Sequence, residues 1–251
     1  MHLKVIACKA LVRETCHFVA QSDHPVDLEF FGYALHDDPS QMAAELQARI
    51  DACQGQGYDA IVIVAGLCGN GCVGVTARDV PLVLPRVDDC IVMLLGSRER
   101  YNADHGANPG TYYYIPGWLE WAEPERDMKA AFSLEMRQAV YQQFVEKYGE
   151  DNAAYLMDTL YNWQKSYSRA CLIDTGLATE PQLARYRRQT AEIAGTWGWR
   201  SEELTGDTHL VRGLIQGLWP DNDFLIVPPG CTIQPAYDGG VVCAAPPERA
   251  T

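Results

Sequence analysis

Four side chains that commonly bind metal ions stand at the predicted ends of four consecutive strands. Cys8 and His36 end the first two apolar runs, Cys68 follows the third, and Cys90 follows the fourth, two residues after Asp88. Three thiolates and an imidazole form a common tetrahedral ligand set for zinc. Three thiolates alone would also hold a [4Fe–4S] cluster with one open iron. The residue types therefore predict a thiolate-rich metal site made of Cys8, His36, Cys68 and Cys90.

The segment that carries Cys68, VAGLCGNGCVG (64–74), is unusually rich in glycine. Glycine allows positive φ angles and a close approach of the backbone to a neighbouring group. We therefore expect Gly66, Gly69 and Gly71 to lie against a bound cofactor while the loop aims Cys68 into a crevice. The chain has no GxGxxG fingerprint, Walker A motif or GxSxG motif, which disfavours nicotinamide and ATP sites.

Three further polar side chains are candidates for direct action on a substrate. Asp88 precedes Cys90 and could serve as a further ligand or as a catalytic carboxylate. Arg86 could bind a carboxylate or phosphate through two hydrogen bonds. Tyr113 is the middle residue of three tyrosines in the aromatic-rich stretch 98–125. That stretch shows no clear period, so we expect either a lid over the site or an excursion packed onto the domain.

An alternation of strands and helices must position these residues. Apolar runs predict strands at 3–8, 26–36, 58–66, 80–90, 169–176, 198–207 and 222–233, and helical spacing predicts helices at 9–21, 41–57, 125–149, 150–167, 179–195 and 208–219. Such an alternation is typical of an α/β fold with a mainly parallel, Rossmann-like sheet and helices on both faces. Because the carboxyl ends of parallel strands share one edge, the predicted ligands should converge there.

The same pattern divides the chain into three segments. We expect a first α/β half at 1–97, an aromatic lid and helical insertion at 98–168, and a second α/β half with a tail at 169–251. YDAIVIVAGLC (58–68) and NDFLIVPPGC (222–231) resemble each other, which indicates either two pseudo-equivalent halves or the common pattern of a strand followed by a turn. In the first case Cys231 would add a thiol to the crevice.

Composition and charge indicate which binding partners and which cellular compartment to expect. The 251 residues carry a net charge of −13, which disfavours binding to nucleic acids or to an anionic membrane. Charged residues interrupt the amino-terminal apolar runs, and no run reaches the about 20 residues that cross a bilayer, so we expect a cytoplasmic protein. Nine cysteines with irregular spacing do not suit a disulfide framework.

Several of these stretches resemble a known family. LCGNG, VLPRVDDCIVMLLGS and GTYYYIPGW, together with His36 after a strand, are similar to domain of unknown function 1638, a prokaryotic family, over about residues 3–235. The resemblance implies no established activity. It does imply a position beside corrinoid-dependent methyl-transfer systems, and hence a role in one-carbon chemistry with a corrinoid protein as partner. Relatives often carry a histidine where this chain has Asp88, which implies a different ligand there.

Three functions fit these observations. The first is a metal-dependent methyltransferase with zinc or a [4Fe–4S] cluster acting on a small molecule. The second is a cofactor-independent enzyme of the racemase type, with Cys68 and Cys231 as paired thiols that exchange a proton. The third is a carrier that delivers a metal or a corrinoid to a partner. The helices predicted within 126–166 are long enough to offer a dimer surface.

Overall fold

Two parallel sheets and a small hairpin organise the chain in the computed structural model, which describes residues 1–32, 35, 38–121, 134–161, 163–236 and 240–246. The strands of these parts are β1 (Leu3–Cys8), β2 (Val26–Phe31), β3 (Ala60–Val64), β4 (Leu82–Pro85), β5 (Thr111–Tyr114), β6 (Arg169–Asp174), β7 (Arg200–Thr205), β8 (Phe224–Val227), β9 (Thr232–Pro235) and β10 (Val242–Ala245). The helices are α1 (Val12–Val19), α2 (Pro39–Ala52), α3 (Cys90–Leu95), α4 (Arg98–Ala107), α5 (Pro116–Trp121), α6 (Leu134–Tyr148), α7 (Glu150–Tyr161), α8 (Glu180–Trp197) and α9 (His209–Gln216), with 3-10 turns at Lys9–Leu11 and Trp163–Ser166.

The larger sheet has the strand order β2-β1-β3-β4-β8, in which β8 alone runs antiparallel. Every residue of β3 and β4 is buried, because helices cover both faces of the sheet. Alternate residues of β3 enter opposite cores: Val62 and Val64 pack with α1, α3 and α9, whereas Ile61 and Ile63 pack with α2 and the β9–β10 hairpin. The α/β class predicted from the sequence is confirmed.

The smaller sheet, β5-β6-β7, is entirely parallel. Its carboxyl edge faces the carboxyl edge of the larger sheet. Thr175, directly after β6, donates from Oγ1 to Oε1 of Glu14 on α1 at 2.9 Å. Asp207, after β7, donates from its backbone N–H to the carbonyl of Leu94 in α3 at 2.7 Å. A Cβ on Gly117, at the start of α5, would lie 1.9 Å from the carbonyl oxygen of Ala10, so the two edges are in direct contact.

Local signals set the start of α2 and the end of α3, although the sequence analysis predicts no helix at α3 and a helix at 41–57 for α2. Asp38 caps α2 by accepting backbone N–H bonds from Ser40 and Gln41, with Pro39 in the first turn. Gly96 ends α3 in the left-handed region at φ 90°. Of the predicted helix 125–149, residues 125–133 lie outside the described residues, and α6 accounts for the rest. None of the helices in the described ranges combines the length and the apolar character that crossing a membrane requires.

The structure decides two open points of the fold. Of the two alternatives for 98–125, packing onto the domain holds for residues 98–121, which form α4, β5 and α5 rather than an aperiodic stretch, with β5 in the smaller sheet. Residues 122–125 lie outside the described residues. The pattern is hidden because α4 has no buried residue and so carries no apolar stripe. β8 does not belong to a second half, since it pairs with β4 in the larger sheet. The similar segments around β3 and β8 therefore lie in one sheet with opposite directions.

Candidate functional site

Three cysteines reach the same edge of the larger sheet from three adjacent strands. Cys8 is the last residue of β1, Cys68 lies in the loop after β3, and Cys90 is the first residue of α3, a few residues after β4. Because β1, β3 and β4 are neighbours and run parallel, their carboxyl ends lie side by side. The strand order thus brings these thiols to one edge, as the sequence pattern predicts.

The thiols are close enough to affect one another electrostatically. Burial raises the pKa of Cys68, and the thiols of Cys72 and Cys8 and the carboxylate of Asp89 raise it further. The pKa of Cys90 is raised by burial, then by Cys68, Asp89 and Cys8. Burial raises the pKa of Cys8 to about 11, and burial with the nearby Cys8 raises that of Cys72 to about 12. We call these four residues the thiol cluster: Cys8, Cys68, Cys72 and Cys90.

Cys72 is the member that the sequence analysis did not assign to the site. It is fully buried among residues of the α2 face of the sheet, and its Sγ donates to the carbonyl of Gly66 at 3.4 Å. The signal that could have found it is the CxxxC spacing of Cys68 and Cys72 in a glycine-rich loop. The loop turns back on itself, so both of its cysteines lie near Cys8.

The loop is fixed against the segment that leads into α3. Leu67 and Cys68 donate backbone N–H bonds to the carbonyls of Val87 and Asp88, at 3.0 and 2.8 Å. A Cβ on Gly66 would lie 2.5 Å from Cα of Asp89, so only glycine allows this approach. Asp89 in turn caps α3, with Oδ1 accepting the N–H groups of Ile91 and Val92 at 2.9 Å. These contacts set the position of Cys68 relative to Cys90.

Backbone strain is concentrated at the turn that carries Cys68. Cys68 has φ +47° and Asn70 has φ +74°, which are the two positive values found for residues other than glycine in the described parts of the chain. Gly69 between them has φ +64°. Such conformations cost about 1–3 kcal/mol at non-glycine positions and often occur at functional sites.

The glycines predicted to bind a cofactor have neighbours within the protein. Gly66 lies against Asp89, and a Cβ on Gly71 would come within 2.4 Å of Sδ of Met42 in α2. Gly69 has a positive φ but no close neighbour: the nearest atom to a Cβ placed on it would be Cγ of Pro39 at 3.8 Å. Packing and backbone conformation thus account for these glycines, and their role toward a cofactor stays a prediction.

The candidate catalytic side chains make contacts within the protein. Arg86 donates from Nε to the carbonyls of Asp221 and Phe224 and from Nη1 to that of Val242, at 2.8, 3.1 and 2.6 Å. It therefore ties the end of β4 to β8 and β10. Asp88 is about half exposed and forms an ion pair with Nε of Arg98 at 2.9 Å. Their action on a substrate stays a prediction.

Tyr113 lies within β5 and is buried between the sheets rather than placed in a lid. Its hydroxyl donates to Oδ2 of Asp104 at 2.6 Å, and the same oxygen accepts Nη1 of the buried Arg169 at 2.8 Å. Burial and this hydrogen bond raise the pKa of Tyr113. Arg169 also donates from Nε to Glu202 on β7, so the tyrosine belongs to a network that joins α4 to the smaller sheet.

Two further residues predicted for this crevice are His36 and Cys231. His36 lies outside the described residues. Cys231 follows β8, whose antiparallel direction brings Val227 beside Leu82, the first residue of β4. The carbonyl of Cys231 accepts the N–H of Ala77 at 2.9 Å. Cys231 therefore lies at the amino edge of the larger sheet, and the expectation that it shares an edge with Cys68 is wrong.

All nine cysteines fall within the described ranges and are free, so no disulfide links them. Within those ranges, no group of three or more His, Cys, Asp or Glu side chains is placed so that it could hold a metal ion. The thiol cluster thus has the composition of a metal site, but its side chains are not gathered as a single ion would require.

A comparison with protein families shows the family to which the chain belongs. The model of a family described as "Protein of unknown function (DUF1638)" matches residues 30–215, a narrower range than the resemblance noted from the sequence. No curated protein and no solved structure matches the chain. Because the match spans about three quarters of the 251 residues and includes β3, β4 and the whole of the smaller sheet, the chain belongs to the DUF1638 family.

Proposed function

We propose that the protein is a metal protein whose centre is an iron–sulfur cluster held by the thiolates of Cys8, Cys68 and Cys90. The observation that carries the proposal is that these three residues, from the end of β1, the loop after β3 and the start of α3, share the carboxyl edge of β1, β3 and β4. Ligands of open parallel sheets bind at this edge.

The surroundings of the thiol cluster favour a ligand role over a nucleophilic one. Reactive cysteines generally lie beside a cation that stabilises the thiolate. Here the neighbours acting on Cys68 and Cys90 are other thiols and Asp89, which destabilise it. A bound cation reverses this balance, because it attracts several thiolates at once. The paired-thiol alternative with Cys68 and Cys231 loses its geometric basis, since the two lie at opposite edges.

A cluster and a single zinc ion differ in the separation that they require between ligand sulfurs. Zinc bonds of about 2.3 Å to sulfur draw the ligand sulfurs almost into contact. In a [4Fe–4S] cluster each cysteine binds a different iron, so the ligand sulfurs stand further apart. We propose the cluster because it needs no more protein ligands than the three thiolates at this edge.

Three protein ligands leave one iron of such a cluster open, and an open iron can polarise an oxygen or sulfur atom of a substrate. Methyl transfer and a corrinoid partner rest on the family resemblance, a carrier role rests on the sequence alone, and all three stay predictions.

Metal and sulfide analysis of the anaerobically purified protein tests the proposal. We expect a brown protein absorbing near 400 nm, with about four iron and four acid-labile sulfide per chain. Cys8→Ser, Cys68→Ser and Cys90→Ser should each lose most of the iron. Cys53→Ser is the matched control, because Cys53 is also buried but donates its Sγ to the carbonyl of Arg49 at the end of α2, and a serine hydroxyl can do the same.

The other outcomes separate the alternatives. A colourless protein with one zinc per chain, lost in the same three variants, would replace the cluster with a zinc site. Less than about a tenth of an equivalent of any transition metal in the wild type would overturn the metal proposal. Equal iron loss in Cys53→Ser would show that the variants act through general destabilisation.

A further inference from the structure

The helices α6 and α7 meet at Gly149, which has φ +81°, and together present an apolar groove. The groove has a volume of about 420 Å³ and is lined by Phe144, Tyr148, Asn152, Tyr155, Leu156 and Leu160. We call these residues the α6–α7 patch. Tyr148, Tyr155 and Leu160 are 44%, 69% and 53% exposed, so the patch presents large apolar side chains to solvent.

Exposed apolar side chains are concentrated in this patch. Among the residues that the structure describes, eight large hydrophobic side chains are exposed; three belong to the patch, and the other five are spread over the rest of the fold. Tyr155 is the most exposed of the eight. Contiguous apolar surface is typical of a protein–protein interface, whereas single exposed apolar side chains are common on any protein. The patch is therefore the candidate for an interface.

Charged residues along one edge of α7 indicate what the patch contacts. Asp151, Tyr155 and Asp158 have the spacing i, i+4, i+7, which places them on one side of the helix. Nζ of Lys165, just beyond α7, donates to Oδ1 of Asp158 at 2.6 Å, so Lys165 lies at the same edge. The side chains of Lys165 and Asp158 are 70% and 64% exposed. This edge carries an acid at its amino end, Tyr155 in the middle and a lysine–aspartate pair at its carboxyl end.

This order of charges is complementary to itself when one copy is turned by 180°. Asp151 and Asp158 are four and three residues from Tyr155, or about 6 and 4.5 Å along the helix axis. Two α7 helices packed antiparallel about a two-fold axis near Tyr155 therefore bring Asp151 of each copy beside Lys165 of the other. Two-fold dimers are the commonest oligomers of soluble proteins. Because the net charge of −13 opposes association of two copies, a cation at the contact favours this arrangement.

We propose that two copies of the chain form a dimer through the α6–α7 patch, with their α7 helices antiparallel and Lys165 of each copy paired with Asp151 of the other. Lys165 then joins Asp158 of its own copy to Asp151 of the second copy, and Tyr155 of each copy packs against the groove of the other. This inference does not depend on the proposed metal centre.

Sedimentation equilibrium of the full chain tests the dimer and its location. We expect the wild type to have twice the mass of one chain at about 10 μM, and Tyr155→Glu to raise the dissociation constant at least about tenfold. Leu218→Glu is the matched control, because Leu218 is 60% exposed outside the patch. A wild type that stays monomeric up to about 100 μM would overturn the proposal, and so would an equal effect of the two variants.

Exchange of the charges tests the antiparallel arrangement and changes exposed side chains only. Asp151→Lys and Lys165→Asp each bring like charges together, and each should raise the dissociation constant about three- to tenfold. The double variant restores an opposite pair between the copies, so it should associate at least about threefold more tightly than either single variant. Additive losses in the double variant would exclude the contact between Asp151 and Lys165 and would overturn the proposal.

Discussion

Glu14 is a buried carboxylic acid at the junction of the two parallel sheets. It is 1% exposed, lies in the first turn of α1, and accepts a hydrogen bond from Thr175 across the junction. Burial raises the pKa of Glu14 and nearby Glu120 adds to this, whereas Thr175 and Arg13 act in the opposite direction. The carboxyl group therefore makes folding depend on pH.

We expect Glu14→Gln to raise the melting temperature by a few °C at about pH 8 and to leave it nearly unchanged at about pH 4. The folded pKa lies above the unfolded value of about 4.3, so the native state gains a proton. That stability is complete below the unfolded pKa and is lost as the pH rises through the folded pKa. An amide is neutral throughout and still accepts from Thr175.

Melting curves across this pH range, with the exposed Glu192→Gln as control, check the prediction. A loss of stability in Glu14→Gln that is equal at both ends of the range would show that the carboxyl group acts through its shape or hydrogen bonds rather than its charge.

Gly66 sets the approach of the Cys68 loop to α3. We expect Gly66→Ala to cost about 1–3 kcal/mol of unfolding free energy, because the added Cβ would press on the backbone of Asp89. Gly106→Ala in α4 is the matched control: its Cβ meets no atom within 4 Å, and the change should stabilise by up to about 1 kcal/mol. Urea unfolding measures both. Wild-type stability in Gly66→Ala would contradict the close approach.

At the scale of elements, Arg86 joins three strands that are distant in sequence. Arg86 follows β4, and its guanidinium donates to the carbonyls of Asp221 and Phe224 at the start of β8 and to that of Val242 at the start of β10. The sequence analysis placed it among the catalytic candidates because it stands near the crevice. Its contacts give it a structural role, which does not depend on a substrate.

We expect Arg86→Lys to lower the unfolding free energy by more than about 2 kcal/mol, because an ammonium group cannot reproduce the fork of guanidinium donors. Arg78→Lys is the control, since Arg78 pairs with Asp51 at the surface and should cost less than about 1 kcal/mol. Chemical denaturation of both variants measures the difference. A smaller loss in Arg86→Lys than in Arg78→Lys would exclude this link as a stabilising feature.

At the scale of the whole molecule, the proposed centre would connect β1, the loop after β3 and α3, and would thereby stabilise the fold. A ligand that binds only the native state raises stability with its affinity, so removal of the metal should lower the melting temperature. We expect the melting temperature to fall by at least about 5 °C, because a change in unfolding free energy shifts the melting temperature by an amount that depends on chain length.

Calorimetry of the protein before and after anaerobic chelation measures this effect. Cys68→Ser should melt at the same temperature with and without the chelator. A decrease of equal size in that variant would mean that the chelator acts elsewhere in the molecule.

The sequence by itself determined the features that depend on neighbours along the chain. The apolar runs predict β1, β3 and β4 because these strands are buried on both faces, and Asp38 marks the start of α2 because capping is local. The placement of Cys8, Cys68 and Cys90 at one edge followed from these strands and from the rule that parallel strands end together.

Only the tertiary structure decided which strands pair and in which direction. A short apolar run predicts a buried strand but not its direction, so nothing in FLIV (224–227) shows that β8 runs against β4 and carries Cys231 to the opposite edge. Cys72 joined the thiol cluster because the turn at Cys68–Gly71 folds back, and β5 entered the smaller sheet because β6 lies beside it. Pairing and turn geometry depend on contacts between segments distant in sequence, which periodicity along the chain does not encode.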